Sequence, residues 1–91
     1  MSVEVEYLSN KKIYISIDDR QFDLLYPSIH ILKEKTGIYI DRYGDTRVHP
    51  AHVSILVRHA VASNTTPALK EVLEFFARAV QQGEVLYFVG D

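Results

Sequence analysis

Two short segments at the start of the chain alternate between apolar and polar side chains. In residues 3–7 the odd positions are apolar and the even positions are glutamates. In residues 13–17 three isoleucines alternate with Tyr14 and Ser16. A period of two is typical of a strand that buries one face, and the polar residues between the segments favour a turn. The pattern therefore predicts a β-hairpin.

The next apolar positions have helical spacing. Leu25 and Leu32 belong to a stripe that predicts a helix from about residue 23 to Gly37, since glycine commonly ends helices. Pro27 is expected in the first turn of this helix, because a proline deeper in a helix costs about 3 kcal/mol.

Two more helices are predicted in the second half of the chain. Pro50 suits the first position of a helix whose apolar stripe runs to Val61. After a polar linker, Thr66 and Pro67 form an N-cap and first-turn pair. The helix that they begin is expected to run to about Gln82.

Three further strands complete the expected fold. Residues 38–41 and 46–48 flank a turn at 43–45, which predicts a second hairpin. Residues 85–89 are apolar at every position, as in a strand that is central in its sheet or covered on both faces. The predicted order is β-β-α-β-β-α-α-β. We therefore expect a single α+β domain over residues 1–91, with an approximately five-stranded, mostly antiparallel sheet and helices packed on one face.

Composition removes several classes of function. The 91 residues carry a net charge of −2, and no basic patch of the kind that nucleic-acid binding requires is visible. The chain has no cysteine, which excludes disulfides and thiol catalysis. No apolar run approaches the ~20 residues that span a bilayer, and no signal peptide is visible. These features predict a cytoplasmic protein without nucleic-acid or membrane partners.

The residues that could support catalysis do not form a recognisable site. His52 and His59 are two helical turns apart and cannot share a metal ion, and His49 precedes the helix. Asp41 and Asp45 flank a turn, where aspartate usually accepts backbone hydrogen bonds. No serine has the setting of an activated nucleophile. We therefore expect no catalytic residue, no metal, no cofactor and no enzymatic activity.

One face of the predicted sheet offers a different kind of site. If the alternating apolar residues pack under the helices, the opposite face combines tyrosines with acidic groups, a composition that protein-contact surfaces favour. This open face is expected to include Glu4, Glu6, Tyr14, Ser16, Tyr39, Asp41 and Arg47. Leu86 and Phe88, on the fully apolar last strand, indicate that part of this face is covered by a second subunit, as in a homodimer.

A local resemblance sharpens this expectation. Residues 35–47 read KTGIYIDRYGDTR and are preceded by Leu25-Tyr26-Pro27. Over about residues 24–57 this pattern resembles small bacterial immunity proteins of toxin–immunity systems. The resemblance implies a role in protecting a cell from its own secreted or contact-delivered toxin, and it identifies no inhibitory residue.

The combined prediction is a non-catalytic protein-binding domain that inhibits a cognate toxin by occluding its active site. The expected contacts to the toxin are Tyr14, Tyr39, Asp41, Tyr43, Asp45 and Arg47. Two alternatives stay open at this point. One is a small-ligand-binding protein or enzyme that uses His49, His52, His59 and the acidic turn, and the other is a homo-oligomeric structural subunit.

Overall fold

The computed structural model describes residues 2–63 and 67–90, and the described parts form a single compact α+β domain. The strands are β1 (Ser2–Tyr7), β2 (Asn10–Asp18), β3 (Thr46–Val48) and β4 (Leu86–Val89). The helices are α1 (Asp19–Thr36), α2 (Pro50–Ala62) and α3 (Lys70–Gln81), and the 3₁₀ turn Pro67–Leu69 precedes α3. The expected α+β class is confirmed, but the sheet of the described residues has four strands rather than five.

All strand pairs are antiparallel, and the order across the sheet is β2-β1-β4-β3. Val5 of β1 lies opposite Ile15 of β2 and Phe88 of β4. Leu86 of β4 lies opposite Val48 of β3. The last strand is therefore central, as its uninterrupted apolar sequence predicts.

The two faces of the sheet differ in burial. Along β1 the odd residues are at most 4% exposed, whereas Glu4 and Glu6 are half-buried. The helices cover the odd-numbered face of β1 and complete one core. The fully buried side chains that the helices contribute to this core are Leu25, Ile29, Leu32, Val53, Leu56, Val72, Phe76 and Ala79.

The expected position of Leu86 and Phe88 on the open face is wrong. Both side chains have no exposed surface and lie on the helix-covered face, opposite Val48 and Val5 respectively. Because successive side chains of a strand alternate between faces, the open face receives Tyr87 and Val89 instead. Leu86 and Phe88 therefore give no support to a second subunit on the open face, and the expected homodimer stays a prediction.

Strand β2 passes into α1 without an intervening loop. Asp18 is the N-cap, and its Oδ1 accepts a hydrogen bond of 2.8 Å from the amide of Gln21. The amide of Asp18 donates in return to Gln21 Oε1 at 3.0 Å, which completes a capping box. The helix consequently begins at Asp19, earlier than the start predicted near residue 23.

The expected place of Pro27 is also wrong, because this proline lies well inside α1 rather than in its first turn. Its ring removes the hydrogen bond that residue 27 would donate to the carbonyl of Asp23. Phe22 and Ile29, on either side of Pro27, are 3% and 0% exposed. Their burial and the capping box offset the cost of an internal proline. At its other end α1 stops where expected, because Gly37 adopts a left-handed φ of 80°.

The predicted third strand, residues 38–41, does not form. Its alternation is real, since Ile40 is fully buried and Tyr39 is exposed. However, the segment pairs with no described strand, and β3 pairs with β4 instead. Alternation indicates which side chains are buried, but it does not show whether the backbone pairs with a neighbouring strand. The second hairpin is therefore absent.

The boundaries of α2 and α3 agree only in part with those predicted from proline and glycine. Pro50 occupies the first turn of α2 as predicted. Thr66 lies outside the described residues, and Pro67 begins a 3₁₀ turn, so that α3 itself starts at Lys70. Gly83 follows α3 with a left-handed φ of 67°.

The hairpin of β1 and β2 contains a large irregularity near its turn. Glu6 lies opposite Tyr14, but Tyr7 lies opposite Asn10, so residues 11–13 are extra on β2. Two of these extra residues are lysines. Bulges and lysines at an edge strand disfavour pairing with another sheet. The outer edge of β2 is therefore poorly suited to joining a second copy.

Candidate protein-binding surface

One row of side chains crosses all four strands on the open face. Tyr14 lies opposite Glu6, Glu6 lies opposite Tyr87, and Tyr87 lies opposite Arg47. Tyr14 is 58% exposed. Directly opposite residues on one face have Cβ atoms about 5 Å apart, so these four form a continuous strip of two aromatic rings, an acid and a base.

A second row lies beside the first. Ser16 is opposite Glu4, and Glu4 is opposite Val89. The Ser16 hydroxyl is 2.9 Å from each carboxylate oxygen of Glu4. This contact orients the Glu4 carboxylate on the sheet surface. We define the open face by the members of both rows, which are Glu4, Glu6, Tyr14, Ser16, Arg47, Tyr87 and Val89.

Asp45 fixes the edge of the open face nearest to β3. Its Oδ2 accepts a hydrogen bond of 3.1 Å from the Tyr87 hydroxyl, and its Oδ1 accepts one of 3.0 Å from the amide of Gly90. The hydrogen bond to Asp45 raises the pKa of Tyr87 above its ordinary value, with further contributions from desolvation and the Asp45 charge. Tyr87 therefore stays a neutral hydrogen-bond donor, and its ring is held in one orientation.

The loop before Asp45 is shaped by its own hydrogen bonds and by a close backbone approach. The amide of Tyr43 donates to Asp41 Oδ1 at 3.0 Å, and the amide of Gly44 donates to the Asp41 carbonyl at 3.3 Å. A Cβ atom on Gly90 would lie 2.4 Å from the backbone of Gly44. Only glycine at position 90 allows the loop to lie this close to the end of β4.

Tyr39, Asp41 and Tyr43 belong to a second surface on the other side of this loop. They line a groove of about 320 Å³ between the loop and α1, which we call the tyrosine groove. Its complete lining is Phe22, Asp23, Tyr26, Tyr39, Asp41, Arg42 and Tyr43. Its three tyrosines are 40–69% exposed. The expected position of Tyr39 and Asp41 on the open sheet face is therefore wrong, because their segment is not part of the sheet.

Cations of the chain itself already lie against the aromatic rings of this groove. The Arg42 guanidinium is 4.7 Å from the centroid of the Phe22 ring and forms an ion pair with Asp23. Its hydrogen bond to Asp23 raises the pKa of Arg42, so the charge is permanent. Lys33 Nζ lies 4.8 Å from the centroid of the Tyr39 ring.

The Tyr39 hydroxyl is perturbed by its surroundings. The interaction with the hydroxyl of Tyr26 raises the pKa of Tyr39, and desolvation and the charge of Asp41 add to this effect. Tyr26 in turn stacks on His30, with ring centroids 6.5 Å apart. The tyrosines of the groove present aromatic faces together with hydroxyl groups.

The histidines do not converge. His59 Nδ1 lies 2.8 Å from the hydroxyl of Ser28, which is buried between α1 and α2. His49 and His52 meet edge to face at 6.5 Å, and His52 Nδ1 is buried without a hydrogen-bond partner among the described residues. Within residues 2–63 and 67–90 no three potential ligands are grouped as a metal site. Ser28 joins two helices and is 2% exposed, so it is poorly placed as a nucleophile.

The helical layer carries an apolar groove that the sequence does not indicate. It lies between α2 and α3, has a volume of about 640 Å³, and is lined by Val57, Val61, Pro67, Lys70, Leu73, Glu74 and Ala77. Val61 is 59% exposed in it. No helix in the described parts of the chain combines the length and apolar character needed to cross a membrane.

The structure thus divides the predicted contact residues between two adjoining surfaces. Tyr14 and Arg47 lie on the open face, and Asp45 borders it. Tyr39, Asp41 and Tyr43 line the tyrosine groove. Sequence reasoning missed Tyr87 as a member of the first surface and Tyr26 as a member of the second. The usable signal for Tyr87 was its phenol hydroxyl, which is the only polar side-chain group in residues 85–89.

Comparison with known proteins adds no further constraint. No protein-family model, no curated protein and no solved structure matches this chain. The resemblance of residues 24–57 to immunity proteins therefore stays a prediction.

Proposed function

We propose that the chain is a non-catalytic protein-binding domain that acts as an immunity protein in the bacterial cytoplasm. It binds a cognate toxin and inhibits it by occluding the toxin's active site. The observation that carries the proposal is the strip of Tyr14, Glu6, Tyr87 and Arg47, which crosses the whole sheet on a face that no described helix covers.

The chemistry of the open face suits a protein partner better than a small molecule. The face is a sheet surface that no described helix covers, and tyrosine supplies contact area together with a hydrogen-bonding group at low conformational cost. Ser16 and Asp45 hold two of its polar groups, Glu4 and Tyr87, in fixed orientations. A preorganised surface loses less entropy when a partner binds.

Charge indicates the kind of partner surface. The open face and its border carry the carboxylates of Glu4, Glu6 and Asp45 against the single guanidinium of Arg47. An excess of acidic groups steers a basic partner surface toward contact and disfavours acidic partners. The partner's active-site surface is accordingly expected to be basic.

A capture experiment tests this proposal. The tagged chain is incubated with a lysate of its source cells, and the retained proteins are identified by mass spectrometry. We expect one stoichiometric partner that arrests bacterial growth when it is expressed alone and is neutralised when this chain is co-expressed. Capture of a partner that is harmless to cells contradicts the immunity role, even if binding is tight.

Matched variants locate the contact. Tyr14→Ala is expected to weaken binding about thirtyfold, because an interface tyrosine at a hot spot contributes about 2 kcal/mol. Glu6→Lys is expected to slow association and is compared with Glu71→Lys, the same change on the exposed side of α3. If both open-face variants bind the toxin as the wild type does, the toxin contacts another surface and the assignment of the contact to the open face is wrong.

A further inference from the structure

The tyrosine groove has the features of a site for one cationic side chain. Three exposed tyrosines, Tyr26, Tyr39 and Tyr43, surround it. The carboxylate of Asp41 lies among them and accepts a hydrogen bond only from the backbone amide of Tyr43 among the described residues. No cationic side chain of the described residues forms an ion pair with Asp41. The groove thus combines aromatic faces with a carboxylate that has unused acceptor capacity.

An arginine of the chain already occupies a comparable combination of aromatic ring and carboxylate. Arg42, at the wall of the same groove, lies over the ring of Phe22 and forms an ion pair with Asp23. A guanidinium is suited to this double contact, because it is planar, stacks on rings and donates in a fork to carboxylates. Asp41 and the neighbouring tyrosines repeat this combination of carboxylate and ring without a guanidinium, and only Tyr39 among them has a cation of the described residues over its ring, the Lys33 ammonium at 4.8 Å.

We propose that the tyrosine groove binds an arginine side chain supplied by the protein partner. The guanidinium lies against the tyrosine rings and donates hydrogen bonds to the carboxylate of Asp41. Charge complementarity favours this occupant, because Asp41 is the acid of the groove without a cationic partner, whereas Asp23 is already paired with Arg42. The proposal relies on the proposed function only for the source of the arginine.

The position of the groove makes simultaneous contact with both surfaces feasible. The loop that carries Asp41 and Tyr43 continues to Asp45, which holds Tyr87 of the open face. The backbone of Gly44 is packed against Gly90 at the end of β4. One partner surface can therefore cover the end of the sheet and insert an arginine over the loop.

A small probe tests the groove without any toxin. Nα-acetyl-arginine methylamide is titrated into the wild-type chain while the NMR signals of the tyrosine rings are followed. We expect saturable shifts at Tyr26, Tyr39 and Tyr43, with Tyr14 unchanged. The citrulline analogue has the same shape but no charge, and it is expected to bind about tenfold or more weakly.

Two variants separate the carboxylate from the rings. Asp41→Asn keeps the oxygen that accepts from Tyr43 and removes the charge, so the affinity for the arginine probe is expected to fall about tenfold. Glu71→Gln removes a carboxylate charge on the exposed side of α3, away from the groove, and is expected to leave that affinity unaltered. Tyr43→Ala is expected to weaken binding of the probe, whereas Tyr14→Ala is not.

Three results would overturn the groove as a site for a cationic side chain. They are an absence of saturable shifts, equal binding of the citrulline analogue, and equal binding by the Asp41→Asn chain. Nα-acetyl-lysine methylamide carries the same charge as the arginine probe but has a compact ammonium in place of the planar guanidinium. Equal affinity for the lysine and arginine probes overturns the assignment to arginine. Binding of the arginine probe by a chain that captures no toxin leaves the groove established and rejects the proposed function alone.

Discussion

Neighbouring residues of β4 lie in opposite environments. Phe88 is fully buried and contacts Phe76, with ring centroids 5.7 Å apart. Tyr87, one residue earlier, is half-buried on the open face and donates a hydrogen bond to Asp45. The face that contains Phe88 holds the fold together, whereas the face that contains Tyr87 is free to contact another molecule.

The different environments of Phe88 and Tyr87 indicate that stability and recognition depend on separate side chains of the same strand. Complete burial of a large apolar side chain contributes about 1.5–3 kcal/mol. A cross-strand pair on a solvated face contributes about 0.2–1 kcal/mol. Substitutions on the open face should therefore alter binding while the fold persists, and substitutions on the helix-covered face should do the reverse.

The largest effect is expected for Phe88→Ala. It leaves a cavity beside Phe76 and Val5, and the free energy of unfolding should fall by about 3–5 kcal/mol in urea denaturation. Val89→Ala, the next residue on the opposite face, is the control and should cost about 1 kcal/mol or less. Similar losses for the two variants would mean that both faces are packed, and the comparison would fail.

An intermediate loss of stability is expected for Gly90→Ala, because Gly90 lies at the end of β4 against the loop of residues 41–45. The new Cβ would lie 2.4 Å from the backbone of Gly44, and such overpacking typically costs about 1–3 kcal/mol. Toxin binding should also weaken, because the loop from Asp41 to Asp45 must move.

Gly44→Ala is the matched control for this loop. The three atoms nearest to a Cβ at position 44 belong to the side chain of Asp41, and the closest lies at an ordinary 3.5 Å. Its stability should therefore stay within about 0.5 kcal/mol of the wild type. If thermal melting gives the same midpoint for Gly90→Ala and Gly44→Ala, the close approach of the two backbones is wrong.

The smallest effect on stability is expected for Tyr87→Phe, which removes only the hydrogen bond to Asp45. Because the raised pKa of Tyr87 favours the protonated phenol in the folded state, this bond stabilises fully below the ordinary tyrosine pKa of about 10. Its contribution is lost as the pH rises through the raised pKa. The stability difference between the wild type and Tyr87→Phe should therefore disappear in alkaline solution.

Denaturation over a pH series measures this difference, with Tyr14→Phe as the control on the same row. A difference for Tyr87→Phe that grows above pH 10 would have the opposite sign and would contradict the hydrogen bond to Asp45. For Tyr87→Phe and Tyr14→Phe the arginine probe provides a second readout, because the tyrosine groove lies outside the open face.

Local signals in the sequence were sufficient for much of the fold. The alternation of residues 3–7 and 13–17 predicted the first hairpin, and Gly37 and Pro50 correctly marked a helix end and a helix start. The capping box of Asp18 and Gln21 was also present in the sequence, but the helix was predicted to begin only near residue 23. Asp18 is both the last residue of β2 and the N-cap of α1. Periodicity alone does not locate a boundary between a strand and a helix that follow each other directly.

Non-local pairing accounts for what the sequence did not reveal. Whether residues 38–41 form a strand depends on a neighbour that lies far along the chain, and β4 pairs with β1 and β3 instead. The candidate contacts were accordingly placed on one sheet face, although Tyr39 and Asp41 line the groove beside α1. Pro27 was misplaced for a related reason, because tertiary burial of Phe22 and Ile29 outweighed its local cost.

The central place of β4 has a consequence during synthesis on the ribosome. β1 is made first and β4 last among the strands, yet the two are neighbours, and β3 has no described strand partner other than β4. The sheet therefore cannot close until translation has passed Val89, and earlier nascent chains expose the edges of β1 and β3. Contacts so distant along the chain make folding slow relative to helical domains. The nascent chain should accordingly become protease-resistant in one late step rather than gradually.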